Sequence, residues 1–420
     1  MKTGKHYDIF LSHSSKDDSF SDYLYELLGK AGFNIWYDKE SLMPNTHLSS
    51  DLPEYIKQCK GLIVLLSKNS INSAWVKDEY AFARDLYNKK ELIIIPIAID
   101  DCEIPGFYNN YKCIDCRQGI TPKSFFMILS AMYGSVENMR EEKDVYVSYS
   151  WKKEREQVDA VFETIRKFPF RLIGDATDQV KYDENNRIQK IMNTCGGFIG
   201  ILPYREGTNT SRYIVDEIKK AEECRLPGII VADSRVKNIE SITSYPIFRI
   251  EDYNNIDVDQ LEDFISLLNI KRPKKPHIFF STSFDKSRKS INTLIRNLAG
   301  NVTATPCILG ENIDHANLQQ QIVDKIKEAY VMIADITGDD KCSNCDKIGT
   351  DINEQTFRLN TCIEAGIARG ADTELFILAK KSSQSTPFMF RDINIRYYED
   401  DCEFIATVHR VLRPYRRSVL

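Results

Sequence analysis

Gly61-Leu-Ile-Val-Leu-Leu66 is an unbroken apolar stretch rich in branched side chains, the pattern of a strand covered on both faces. Matching runs alternate with amphipathic segments on either side of it. Ile9-Phe-Leu11 and Phe33-Asn-Ile-Trp-Tyr37 come before, separated by a helical pattern from Phe20 to Ala31, and Glu91-Leu-Ile-Ile-Ile-Pro-Ile97 comes after. Continuous apolar strands spaced by helices imply a parallel sheet wrapped on both sides.

The order restarts after the charged segment Glu137 to Lys143. Asp144-Val-Tyr-Val-Ser-Tyr-Ser150, a helical pattern from Gln157 to Lys167, Phe170-Arg-Leu-Ile173, Gly196-Gly-Phe-Ile-Gly-Ile-Leu202 and Pro227-Gly-Ile-Ile-Val231 repeat the first series. A third round begins beyond the basic linker Lys271-Arg-Pro-Lys-Lys275. It runs from His277-Ile-Phe-Phe-Ser-Thr-Ser-Phe284 through Ala329-Tyr-Val-Met-Ile-Ala-Asp335 and Asn360-Thr-Cys-Ile-Glu-Ala-Gly-Ile-Ala368 to Leu375-Phe-Ile-Leu378. A chain of 420 residues at roughly 150 per domain also implies about three units. The expected fold is therefore α/β, with three consecutive Rossmann-like, flavodoxin-like parallel-sheet domains at residues 1–136, 144–270 and 276–420.

A net charge of −5 gives no global field that would gather nucleic acid or anionic lipid. No apolar run approaches the roughly 18 to 20 residues that cross a bilayer, and Met1-Lys-Thr-Gly-Lys-His6 lacks the apolar core of a signal peptide. The expectation is a soluble, cytoplasmic protein that binds neither nucleic acid nor membrane. Eleven cysteines, an odd number spread along the chain, fit reduced thiols better than a disulfide framework. Cys113-Ile-Asp-Cys116 and Cys342-Ser-Asn-Cys345 lie in different units, so no metal site is expected from them.

Three stretches of the first unit carry a more specific signal: Tyr7-Asp-Ile-Phe-Leu-Ser-His-Ser-Ser-Lys-Asp17, Trp36-Tyr-Asp-Lys-Glu-Ser-Leu-Met-Pro44 and Ser73-Ala-Trp-Val-Lys-Asp-Glu79. Trp75 and Glu79 are four apart, so on a helix capped by Ser70 or Ser73 the indole lies one turn before the carboxylate on the same face. Together these stretches, over about the first 135 residues, resemble a TIR domain. The resemblance implies cleavage of NAD at its nicotinamide–ribosyl bond, or signalling by TIR–TIR assembly into a homo-oligomer. It further implies Glu79 as the catalytic residue, with Ser12, His13, Asp38 and Trp75 lining the cleft. Leu42, Met43, Pro44 and Asn45 would form the BB loop that gates the cleft and makes subunit contacts. NAD would be substrate, and no cofactor is required.

In the second unit, Ser211-Arg-Tyr-Ile-Val-Asp-Glu217 repeats the aromatic-to-acid spacing, with Tyr213 in the place of Trp75 and Glu217 in that of Glu79. This reads as a diverged copy serving as scaffold. The third unit resembles TIR-like or nucleoside deoxyribosyltransferase-like nucleotide-binding domains. Its Ser283, Asp335 and Glu364 either line a pocket for a nucleotide second messenger, or Asp335 ends a strand and Glu364 faces solvent. Three functions follow: an NAD-consuming enzyme of immune or antiphage signalling controlled by ligand or assembly, a non-enzymatic adaptor, or a nucleoside-transferring C-terminal domain. Hydrolysis, cyclisation and base exchange stay open, because each depends on which nucleophile reaches the same cation.

Overall fold

The computed structural model describes residues 7–41, 48–71, 74–89, 91–104, 111–133, 143–150, 155–175, 186–310, 317–337, 358–381 and 394–420. The first unit runs β1 (Tyr7–Ser12), α1 (Asp18–Lys30), β2 (Ile35–Trp36), α2 (Asp38–Ser41), α3 (Leu48–Lys57), β3 (Cys59–Leu66), α4 (Ala74–Asn88), β4 (Ile93–Ala98), β5 (Ile114–Asp115) and α5 (Pro122–Ala131). The second runs β6 (Lys143–Ser148), α6 (Arg155–Ile165), β7 (Phe170–Asp175), α7 (Arg187–Met192), β8 (Gly197–Leu202), α8 (Arg212–Glu223), β9 (Gly228–Asp233), β10 (Ile247–Ile250) and α9 (Val258–Ser266). The third runs β11 (His277–Ser281), α10 (Lys289–Thr303), β12 (Cys307–Leu309), α11 (Leu318–Glu328), β13 (Ala329–Asp335), α12 (Leu359–Gly370), β14 (Glu374–Lys380), β15 (Ile395–Tyr398), α13 (Asp401–Leu412) and β16 (Arg417–Val419).

The sheets have the orders β2-β1-β3-β4-β5, β10-β9-β8-β6-β7-β16 and β12-β11-β13-β14-β15. Leaving β16 aside, these are one topology written three times, all parallel, with the first strand of each unit between its second and third. The α/β fold class with three largely parallel sheets is the one the sequence implies. Strand alternation sends Ile9 and Leu11 to one face of the first sheet, against α1 and α5, and Phe10 to the other, where Val76, Ala83 and Leu86 of α4 cover it.

The last elements depart from a simple row of units. Phe404, Ile405, Val408 and Leu412 of α13 share one continuous apolar cluster with Leu24 and Leu28 of α1, Phe125 and Ile128 of α5, and Ile295 of α10. The first and third units thus have a common core. The chain then crosses again, and β16 pairs antiparallel with β7 at the edge of the second sheet, Arg417 opposite Asp175. Two C-terminal arginines fix these crossings. Arg413 meets Asp8 at 2.7 Å and donates to the Gly32 carbonyl. Arg417 donates to Asp144 and Thr194 of the second unit at 2.8 Å each, and to the Thr303 and Ala304 carbonyls of the third. Gly32 itself ends α1 at φ 89°, where a Cβ would lie 3.3 Å from Arg410 Cγ, so both turn and docking favour glycine.

Candidate functional site

In an open parallel sheet the connections leave in opposite directions at one point, and ligands bind beyond the carboxyl ends of the strands there. In the first unit that point lies between β1 and β3, and β1 ends on Ser12, opposite Val64. Ser12 follows Phe10 and so faces α4.

Helix α4 turns Val76, Glu79, Ala83 and Leu86 inward, at spacings of three, four and three. A carboxylate therefore occupies a core position of an otherwise apolar stripe, and Glu79 is only 2% exposed. Burial without partners would cost several kcal/mol and drive such a group neutral. The Ser12 hydroxyl, equally buried, donates directly to Glu79 Oε2.

His13, the next residue, is buried and packs at a tilt against Tyr37, with ring centroids 5.1 Å apart. Its Nε2 lies 3.3 Å from Asp18 Oδ1 and 3.9 Å from Asp38 Oδ1. Lys39 bridges Asp18 and Asp22 at 2.9 and 3.0 Å. The Tyr37 hydroxyl donates to Asp22 at 2.5 Å, and this bond, with that from Lys39, holds the Asp22 carboxyl below its usual range. Asp17 ties the loop after β3 to the turn after β1, accepting from Ser67 Oγ at 2.5 Å and from Asn69 Nδ2 at 2.8 Å.

Ser12 and Glu79 are thus in direct contact on the α4 side, and His13 and Asp38 approach each other beside Tyr37 and Asp18. Trp75 lies in α4 one turn before Glu79, but its side chain is outside the described residues, as are Leu42, Met43, Pro44 and Asn45. Ser73 is also outside them, while the Ser70 hydroxyl accepts from the Ser67 amide within the preceding turn at 2.8 Å. Asp17, Asp18, Ser67 and Asn69 were not singled out by the sequence reading. Their signal was present, as polar residues directly following β1 and β3, where such a fold places its ligand.

The same construction recurs in the second unit. Glu217 accepts from Ser148 at 2.5 Å and from the Tyr146 hydroxyl at 2.6 Å. Tyr213 reaches Asp175 at 3.3 Å, and Asp175 is clamped by the buried Arg187 at 2.7 and 2.8 Å. Burial dominates here and pushes the Glu217 carboxyl up to about 7, even against the hydroxyls that favour its charged form.

In the third unit the candidates separate. Glu364, half-buried, accepts from Ser281 on the α12 side, and burial raises its pKa. Asp335 lies on the opposite face of the sheet, where it accepts from Thr337 Oγ1 at 2.6 Å and Tyr398 at 3.1 Å, and pairs with Arg288 at 3.3 Å. Its burial also raises its pKa. Ser283 accepts from the Asp285 amide at 3.1 Å in the loop beyond β11. These three side chains therefore belong to three local networks.

Among the described residues no helix is long and apolar enough to cross a membrane, and no group of three or more His, Cys, Asp or Glu could hold a metal. Nine described cysteines are free thiols. Those of Cys113 and Cys116 are shifted upward by burial, while Cys342 and Cys345 lie outside the described residues.

Residues 9–129 match the family model described as TIR domain. Over 95 residues the chain is 34% identical to NAD(+) hydrolase TcpC of Escherichia coli O6:H1, covering 22% of this chain and 31% of that protein. It is 32% identical over 99 residues to 2' cyclic ADP-D-ribose synthase AbTIR of Acinetobacter baumannii, covering 23% and 36%. It is 31% identical over 103 residues to the Homo sapiens single Ig IL-1-related receptor, covering 24% and 25%. The chain thus spans at most 36% of the length of these relatives. The N-terminal region of this chain carries a TIR domain.

Proposed function

We propose that the TIR domain consumes NAD by breaking the bond between nicotinamide and ribose, with Glu79 stabilising the positive charge that develops on the sugar. The observation that carries this reading is the buried Glu79 carboxylate, set on the inner stripe of α4 and tied to the end of β1 at the sheet's switch point. Cleavage gives the sugar oxocarbenium character, as in glycoside hydrolysis. The leaving pyridinium is already cationic and departs as neutral nicotinamide, so no acid is needed and one carboxylate suffices. Fixed in a water-poor position, it opposes the developing charge without reorganising.

The surrounding groups suit that end of the substrate. Asp17 and Asp38 bring carboxylates that favour the cationic nicotinamide–ribose end over the pyrophosphate, while Asp18 is paired with Lys39. Water arriving at the cation gives ADP-ribose, and a ribose hydroxyl of the same molecule gives a cyclic product. Two relatives, named for NAD hydrolysis and for 2' cyclic ADP-D-ribose synthesis, support this choice of chemistry.

The second unit is a scaffold, since its glutamate is held by its own serine and tyrosine hydroxyls. The third is the part through which a nucleotide signal would act, around Ser281 and Glu364. Homo-oligomers formed by the TIR domain would use its α3 and α4 side or its sheet edges, because α10 and α13 already cover the α1 and α5 side. The test is nicotinamide release from NAD by the full chain, over a range of protein concentrations and a panel of nucleotides. Release under at least one condition is expected, and none under any condition overturns the reading.

The similarity to a receptor supports a second reading, an adaptor working through TIR contacts. Biological activity retained in Glu79→Gln but lost on substitution of Pro44 or Asn45 would favour it.

A further inference from the structure

Ser12, Ser148 and Ser281 are the last residues of β1, β6 and β11. Glu79, Glu217 and Glu364 are each the sixth residue of the helix after the third strand, counting 74 to 79, 212 to 217 and 359 to 364. In all three units the serine hydroxyl donates to the glutamate. The chain therefore contains the same strand-to-helix tie three times, in three different surroundings.

We infer that Ser12 is a positioning residue for the NAD-cleaving reaction, one that holds the Glu79 carboxylate in orientation and does not itself contact substrate. This rests on the reading of Glu79 given above. A serine hydroxyl has a single proton to donate, and that of Ser12 is directed at Glu79, leaving none for a ribose hydroxyl. The side chain is 2% exposed and faces α4.

The second unit supplies a comparison within the same molecule. There Tyr146 and the serine share Glu217, and no substrate contact is needed to account for the pair. What distinguishes the first unit is the task of the carboxylate. A donor aimed at an ionised group strengthens on desolvation and favours the charged form, so the tie aims the Glu79 carboxylate and favours its anionic form. In Ser12→Ala the carboxylate would gain rotamer freedom and hold its proton to higher pH.

The experiment compares the full-length wild type, Ser12→Ala, Ser12→Thr and Glu79→Gln, each checked for an unchanged thermal melting profile. Steady-state nicotinamide release is measured from pH 5 to 8, and the Glu79 carboxyl is titrated by isotope-edited infrared difference spectroscopy, assigned by its loss in Glu79→Gln. Loss of one charge-assisted hydrogen bond corresponds to a fall in kcat of roughly 10- to 100-fold, with KM changed less than about threefold. The acid limb of the rate profile and the infrared titration should both move upward in Ser12→Ala, and Ser12→Thr, which keeps the hydroxyl, should restore all three. Should Ser12→Ala fail to fold, Ser12→Cys keeps the volume with a far weaker donor and carries the same expectation. A rise in KM with kcat unchanged would make Ser12 a substrate contact and overturn the inference, as would an unmoved carboxyl titration. If the wild type releases no nicotinamide, the reading of Glu79 fails, and the infrared titration still decides whether Ser12 holds the carboxylate.

Discussion

Three glutamates at one helical position show how surroundings divide the roles of identical residues. Glu79 and Glu217 are both buried, and Glu217 accepts from both its serine and Tyr146, whereas Glu364 is partly open beside Ser281. For Glu217 burial places the folded pKa, about 7, above the unfolded value of 4.5. A raised pKa means stability that is fully present below the unfolded value and lost as pH climbs through the folded one. Glu217→Gln, which cannot ionise, should therefore gain on the wild type by on the order of 3 kcal/mol between pH 4.5 and pH 8. Urea denaturation at the two pH values measures this, and nicotinamide release should stay unchanged; a pH-independent difference would show that Glu217 titrates alike in the folded and unfolded chain. Glu79 and Glu217 were legible from the aromatic-to-acid spacing, and Glu364 only from its place early in a helix after a strand. Their serine partners were legible only as strand ends, because nothing in the local sequence says which residue 67 to 83 positions away a hydroxyl will meet.

At the scale of elements, hydrophobic period sufficed for most of the fold. The run at Phe33 to Tyr37 contracts to the two-residue strand β2, with Trp36 stacked on Phe10 at 4.2 Å, and α1 begins two residues before Phe20. Helix α13 was not singled out, and its docking was hidden because its contacts lie nearly 400 residues away in the chain. His409 is central to that docking. Its Nδ1 donates to the Ala31 carbonyl at 2.6 Å, its Nε2 accepts from Tyr133 at 2.5 Å, and Phe33 stacks on the ring. Burial, reinforced by the charges of Arg413 and Arg416 and only partly opposed by the Ala31 carbonyl and Asp8, depresses its pKa to about 3. Neutral imidazole is thus required, so stability is complete above the unfolded pKa of 6.5 and declines as pH falls below it. By pH 5 this group alone should remove about 2 kcal/mol. Comparing wild type with His409→Asn by denaturation between pH 5 and pH 7.5 checks it; equal slopes in the two proteins would contradict the assignment.

The whole molecule is held together from its C-terminal end. Arg413 reaches the first unit and Arg417 the second and third, and Lys190 of α7 pairs with Glu374 of β14. Read locally, Arg413-Pro-Tyr-Arg-Arg417 is a basic tail that water would solvate; only the closed fold shows Arg417 to be 4% exposed. Asp8 reports the same closure. Burial would raise its pKa, but Arg413 and Lys60 outweigh that and keep it below the ordinary carboxylate value. Arg417→Ala leaves two carbonyls and Thr194 without this donor and should cost about 3 to 5 kcal/mol, the scale for breaking a buried ion pair. Thermal unfolding should then separate the second unit's transition from the rest, whereas a single unshifted transition would mean that β16 contributes little.

At the same scale lies the claim that one acidic side chain makes this assembly an NAD-consuming enzyme. The most direct measurement is nicotinamide release by wild type and Glu79→Ala, matched for folding by thermal melting, under whichever protein concentration or nucleotide gives the highest wild-type rate. Removal of the charge that stabilises the cation should lower the rate by about 100-fold or more with the melting profile preserved. Equal rates in the two proteins would contradict the account.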